Sequence, residues 1–134
     1  MRLVLDASVA IASVRPHEPA FAAAHSRIMR CHAGDDVIVV PSFFVVEVSG
    51  ALARRGIPKR DIEALLDNLT QSPHQVVTVG PRAARSARTI AIASKLRGPD
   101  ALYVWLAKRE GIALCTLDQE LAARGAQFAR MIPP

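Results

Sequence analysis

A chain of 134 residues with 51% hydrophobic content has the size of one compact domain and enough apolar side chains for a core that needs neither disulfides nor a structural metal. Its two cysteines, Cys31 and Cys115, lack the C-x-x-C spacing of a zinc or redox site and are expected as reduced, buried thiols. A net charge of +5 with a pI of about 10.0 favours a polyanionic partner, while an aromatic content of only 4% argues against base stacking by a string of exposed rings.

Arg2 to Leu5 reads as a short buried strand, and Ala7 to Val14 as a turn into a helix. The apolar run before Asp6 is too short for a signal peptide, so a cytoplasmic protein is expected. Pro19 to Cys31, rich in Ala and closed by Gly34, has helical character. Val37 to Val40 is a second buried strand ending at Pro41, after which Ser42 is a candidate N-cap. The longest apolar stretch, Val37 to Val46, contains Pro41 and Ser42 and falls short of the ~20 residues of a membrane span. Phe43 to Arg55 is expected as a helix that stops at Gly56, although its β-branched and aromatic start would also suit a strand. Pro58 to Thr70 is a helix with Ile62, Leu65, Leu66 and Leu69 on one face.

Gln75 to Val79 is a third strand, and Pro81 opens a helix to Leu96 with Ala83, Ala87, Ile90, Ala91 and Ser94 on one side. Pro99 to Glu110 is apolar nearly all round and therefore largely buried, with Tyr103 and Trp105 expected in the core. Ile112 to Cys115 is a fourth strand, Asp118 to Ala123 a short helix, and Gln127 to Ile132 a last edge strand. Strands alternating with helices imply a single α/β domain over residues 1–134, an open parallel sheet with helices on both faces.

Within this pattern four acids, Asp6, Glu47, Asp100 and Asp118, stand in or beside core-forming segments. Such carboxylates are costly to desolvate unless they are paired, hydrogen-bonded or bound to a cation. No Lys or Arg is equally placed beside each, so a divalent metal is the leading explanation. Asp6 and Asp118 follow two strands, where sites form in open sheets of this kind. Asp100 falls in the first turn of a helix, and Glu47 shares a helix face with Phe43, Phe44, Gly50 and Ala51. Each acid also has a plain structural reading. Asp6 and Asp100 suit helix starts, Thr116 with Gln119 suits a capping box that leaves Asp118 as a first-turn charge, and Glu47 could pair with Arg54 or Arg55.

Asp6-Ala7-Ser8, Glu47 in the helix after the second strand, Asp100-Ala101-Leu102 opening a buried helix, and Thr116-Leu117-Asp118-Gln119-Glu120-Leu121 together resemble a PIN domain. The likeness is greatest to the ribonuclease toxins of VapBC toxin–antitoxin modules and runs from Arg2 to about Ala129. It implies a parallel sheet flanked by helices, magnesium or manganese in an acidic pocket, and endonucleolytic cleavage of RNA. By position, Asp6, Glu47, Asp100 and Asp118 match the acidic quartet, and Ser8 and Thr116 the polar residues that support it. A cognate antitoxin and a homodimer are implied as partners.

Hard divalent ions prefer oxygen donors, and magnesium keeps several waters while binding one or two carboxylates directly. The expected reaction is hydrolysis by a metal-activated water at one ion or two, with Asp6 and Asp100 as principal ligands. Asp118 and Glu47 would complete the site or orient its waters, while Ser8 and Thr116 would orient carboxylates. The basic residues Arg54, Arg55, Lys59 and Arg60, with Arg82, Arg85 and Arg88, read first as solvated helix surface and second as contacts to an RNA backbone. The alternative to a nuclease is a catalytically silent RNA-binding domain of the same fold. A receiver- or phosphatase-like protein is the third class, weakened because Asp6-Ala7-Ser8 is not the D-x-D of many phosphatases and no strand-end Lys is evident.

Overall fold

A computed structural model describes residues 1–134. Strand β1 (Arg2–Leu5) leads through helices α1 (Ala7–Ala12) and α2 (Phe21–Ala33) to β2 (Val37–Pro41), and α3 (Phe44–Arg54) and α4 (Lys59–Thr70) lead to β3 (Gln75–Val77). Helices α5 (Pro81–Ser94) and α6 (Gly98–Glu110) precede β4 (Ala113–Cys115), and α7 (Gln119–Gly125) precedes β5 (Met131–Ile132). The sheet has the order β3-β2-β1-β4-β5, and every pairing is parallel. Both faces of a parallel sheet must be covered, which explains the nearly unbroken Val, Ile and Leu of β1 and β2 and the wholly buried Ala-Leu-Cys of β4. Helices α1 to α4 pack on one another as one group, and α6, which lies on the sheet, packs against α5 and α7 as another.

Helix α6 packs across β1, β2 and β4, which is why it is apolar on several sides: Ala101, Tyr103, Val104, Leu106 and Ala107 are all buried. Trp105 departs from the expectation of a core residue. It is only partly buried and packs against the core from the rim. The helix stops at Gly111, whose φ of 66° is strained for a side chain bearing Cβ. Gly125 serves a different need, because a Cβ there would stand 2.6 Å from Met131 Cε and 2.9 Å from Val104 Cγ2. The close approach of α7 to α6 and β5 depends on that missing atom.

Two expected caps are displaced. Ser42 does not cap α3: its hydroxyl accepts from Val79 N–H (3.4 Å) and its backbone N–H donates to Val77 O (2.8 Å). The chain is thus still paired with β3 at Ser42, and Phe43 takes the N-cap position. Thr116 does not cap α7 either. Asp118 does so, accepting from Leu121 N–H at 3.0 Å. Both cysteines are free and buried, as expected, and burial pushes the Cys31 thiol up to about 11 and the Cys115 thiol up to about 12.

At the amino-terminal end of the sheet, Asp36 is wholly buried and accepts from Arg30 Nε (2.8 Å), Arg27 Nη1 (2.7 Å) and the Met1 amino group (2.9 Å). These donors, Arg30 foremost, hold its carboxyl well below the usual carboxylate range despite burial. A depressed folded-state pKa contributes stability that is present above the unfolded value near 4 and is lost as pH falls through the folded value. Asp36→Asn should therefore cost about 2–3 kcal/mol at neutral pH, less than for a fully sealed pair because Arg30 reaches solvent. The difference from the unmutated protein should shrink on acidification below about pH 4, as urea denaturation at several pH values would show.

Candidate active site

The sheet order reverses between β1 and β4: the chain moves outward from β1 through β2 to β3, then returns to place β4 on the other side of β1. The loops leaving the two strands diverge there and open a crevice beyond their carboxyl ends. Asp6 leaves β1 into this crevice and Thr116 leaves β4. Asp6 N–H still donates to Cys115 O (3.0 Å), so the ladder fixes the height of both residues.

Two hydroxyls lace the strand ends together. Thr116 Oγ1 donates to Asp6 Oδ2 (2.8 Å) and accepts from Asp118 N–H (3.0 Å). Ser8 Oγ donates to the same Asp6 oxygen and accepts from Leu117 N–H (3.1 Å). Asp6 is only 6% exposed and occupies the N-cap position of α1, yet its side chain makes no capping bond. The Ser8 backbone N–H also favours the carboxylate form, but both hydroxyl bonds go to Oδ2 and leave Oδ1 without a hydroxyl donor.

Glu47 comes from the first turn of α3 and is half-buried, which identifies its segment as helix and not strand. It pairs with neither Arg54 nor Arg55. Tyr103 Oη, on the buried side of α6, donates to Glu47 Oε1 at 2.7 Å, and the Tyr103 ring is held edge-on by Phe43 with centroids 5.3 Å apart. Burial and the Glu47 charge keep the Tyr103 phenol protonated, hence a donor. Asp100 lies in the first turn of α6, where the helix dipole favours a carboxylate. It makes no side-chain hydrogen bond or ion pair to another residue of the chain. Asp118 spends one oxygen on its own helix cap.

The four acids feel one another. Burial raises the Asp100 pKa first, and the charges of Asp6, Asp118 and Glu47 raise it further against the weaker pull of Arg97, to about 6. Burial likewise raises Glu47, opposed by the Tyr103 bond and helped by the Asp6 charge. Asp6 is raised by burial, opposed by its Ser8 and Thr116 bonds and helped by the Asp118 charge. None of the four is in a salt bridge, although nine ion pairs form elsewhere. Each keeps at least one oxygen free of side-chain donors. Those oxygens are open to water, because the one sealed side-chain polar atom without a partner is Arg27 Nε.

This donor set suits a hard cation: oxygen ligands, uncompensated negative charge and free lone pairs. No three carboxylate, imidazole or thiol groups form a ready-made cage around one ion. The arrangement is an open one, of the kind that leaves part of the coordination shell to water.

Residues 3–126 match the family described as PIN domain. The chain belongs to the PIN domain family. Among solved structures, this PIN domain is similar to VapC20 of Mycobacterium tuberculosis, a toxin that cleaves the sarcin–ricin loop. The two share 18% identity with a TM-score of 0.77 over 98% of this chain and 99% of that one. It is similar to PAE2754 of Pyrobaculum aerophilum at 22% identity and a TM-score of 0.68, covering 98% and 83% of the two chains. VapBC2 of Rickettsia felis, bound to a fragment of its promoter DNA, contains a chain 12% identical with a TM-score of 0.68, covering 100% and 99%. No curated protein matches the chain. The PIN domain's strand order also differs from the 2-1-3-4-5 order of flavodoxin-like sheets, which sets aside the receiver reading.

Two residues of this region went unread in the sequence. Tyr103 looked like one more core aromatic, and nothing in its apolar run marks a hydroxyl aimed at Glu47. Arg15, ion-paired to Glu18, lines with Arg55 a hollow of about 560 Å³ that begins at Ser8 and Leu117. Of the other basic candidates, Arg54, Arg82, Arg85 and Arg88 are exposed, while Lys59 pairs with Glu63 (3.5 Å) and Arg60 with Asp61 (3.7 Å).

The crowding of charge has a consequence for the metal-free PIN domain. Because the folded state raises the Asp100 pKa from 3.8 to about 6, the stability this group contributes is full below the lower value and is lost as pH rises through the upper one. The melting temperature of the unmutated protein in EDTA should therefore fall, relative to that of Asp100→Asn, between about pH 4 and pH 6. At neutral pH Asp100→Asn should melt at the same temperature or higher. Circular dichroism melts across this window test it, and a variant that is unfolded throughout would assign Asp100 a structural role instead.

Proposed function

We propose that this PIN domain is a magnesium- or manganese-dependent endoribonuclease, the toxin component of a toxin–antitoxin module. The observation that carries the reading is a set of four carboxylates without ionic partners whose charges act on one another, Asp6 and Asp118 following β1 and β4 and Glu47 and Asp100 in the first turns of α3 and α6. Asp6 and Asp100 would be the principal metal ligands, with Asp118 and Glu47 completing the site or orienting its waters. When bound, such an ion polarises a phosphodiester oxygen and makes water a stronger nucleophile at neutral pH.

The chain's own residues do the positioning. Ser8 and Thr116 hold one Asp6 oxygen and so aim the other into the crevice. Tyr103 does the same for Glu47. Arg15 and Arg55, beside Ser8 in the adjoining hollow, would bind phosphates flanking the cleaved bond and offset the repulsion between RNA and the acids.

The assignment to RNA and to a toxin rests on the resemblance of the motifs. It is supported by the fold shared with VapC20, described as a sarcin–ricin loop cleaving toxin. An antitoxin partner is supported by the fold shared with the VapBC2 complex. A homodimer fits the large apolar side chains left on the surface of α3 and α5, Val46 and Ile92, each 73% exposed. The cytoplasm, where thiols stay reduced, suits Cys31 and Cys115.

RNA cleavage should require magnesium or manganese and should be abolished in Asp6→Asn and in Asp100→Asn with the fold retained. Gel analysis of a labelled RNA, beside circular dichroism of each variant, checks this. RNA binding that survives both substitutions, with no turnover at any metal concentration, would instead establish a silent binding domain. Metal at about 100 times its Kd should stabilise the unmutated fold by roughly 2.7 kcal/mol and raise its melting temperature. Tyr103→Phe, which leaves Glu47 without its donor, should lower cleavage or metal affinity about 10–100-fold. Manganese titration by calorimetry reads that loss independently of turnover.

A further inference from the structure

We propose that the face formed by α5, the second half of α6 and the start of β4 is a second RNA-binding surface, a groove that takes a single-stranded segment of the substrate away from the carboxylates. Three adjoining hollows of about 630, 340 and 460 Å³ form it. The first two share Ser86, Trp105 and Arg109, and the last two share Lys108 and Phe128. Five cations line them, Arg82, Arg109, Lys108, Arg2 and Arg130, and no acid does. The nearest carboxylate, Glu110, is already taken by Arg2 (2.9 Å) and Arg109 (3.6 Å). Arg82, Lys108 and Arg130 are exposed and have no ionic partner in the chain.

Cations alone would make only solvated surface. Here they are interleaved with the two rings that the fold leaves at its rim. The Arg109 guanidinium lies 5.4 Å from the centre of the Trp105 ring and the Lys108 ammonium 5.6 Å from that of Phe128. A guanidinium beside an indole adds cationic attraction to a ring on which an unpaired base stacks, and the free cations beside it meet the phosphates. A duplex keeps its bases stacked on one another and cannot use such rings, so the ligand is single-stranded. Arg109 stands nine residues beyond Asp100 on α6, about 13 Å along the helix. A bound strand would therefore reach the cleavage site several nucleotides from the groove.

The inference rests on the nuclease reading for the identity of its polyanion, but its test does not need cleavage. Trp105 is the only tryptophan, so its emission reports on the groove directly. In EDTA, titration with a single-stranded RNA of about 12 nucleotides should quench that emission, and a duplex of equal length should not. Arg82→Glu and Lys108→Gln, both at exposed positions, should weaken binding and lower the slope of log affinity against log salt by about 0.7 for each phosphate that the variant no longer neutralises. Absence of quenching, equal quenching by duplex, or variants that bind as the unmutated protein does would overturn the proposal. So would emission that follows protein concentration instead of RNA, which would make this face a contact between copies of the chain. Quenching without cleavage in manganese would keep the groove and remove the nuclease reading, whereas cleavage without quenching would do the reverse.

Discussion

Two hydroxyl groups hold the candidate site in shape. Thr116 and Ser8 each donate to one oxygen of Asp6 and each accept a backbone N–H from the loop after β4. The loops leaving β1 and β4 would otherwise separate at the switch point, because the sheet order sends them apart. With the hydroxyls in place, a nearly buried carboxylate is satisfied on one side and presented on the other. A carboxylate of this kind needs donors to remain charged, and hydroxyls supply them without neutralising it as an Arg would.

That choice of partners recurs. Glu47 is held by a phenol and Asp118 by a backbone amide, and Asp100 has no protein partner. The domain places its ionic networks elsewhere, most densely around Asp36 at the opposite end of the sheet, where three cations meet one acid. One end is thus neutralised internally and the other is left short of positive charge. The deficit shows in the raised proton affinities of Asp6, Glu47 and Asp100, and a divalent ion or protons would relieve it.

Much of the fold was legible because its elements differ in period and composition. Buried strands read as short apolar runs, and Asp6 and Asp118 stood out as acids following such runs. The failures share a physical origin, in groups whose commitment is made by a distant partner. Ser42 has the composition of a cap, but its N–H donates to Val77 O and its hydroxyl accepts from Val79 N–H, which ties it to the exit of β3. Thr116 likewise has capping chemistry, yet its hydroxyl is drawn to Asp6, so Asp118 caps α7. Helix α6 is apolar on so many sides that its sequence could not distinguish the side of Tyr103, which meets Glu47, from that of Trp105, which reaches the rim. That the charges of Asp6, Asp118 and Glu47 all act on Asp100 was likewise a matter of topology, set by where α3 and α6 lie against the sheet.

The two thiols have a use that follows from their burial. With Cys31 and Cys115 sealed in the core and held protonated far above physiological pH, an alkylating reagent meets a reactive thiolate only when the molecule opens. The labelling rate then measures how often the interior is breached. Ligands that secure the crevice beyond β4, of which Cys115 is the last residue, would slow it at that position first.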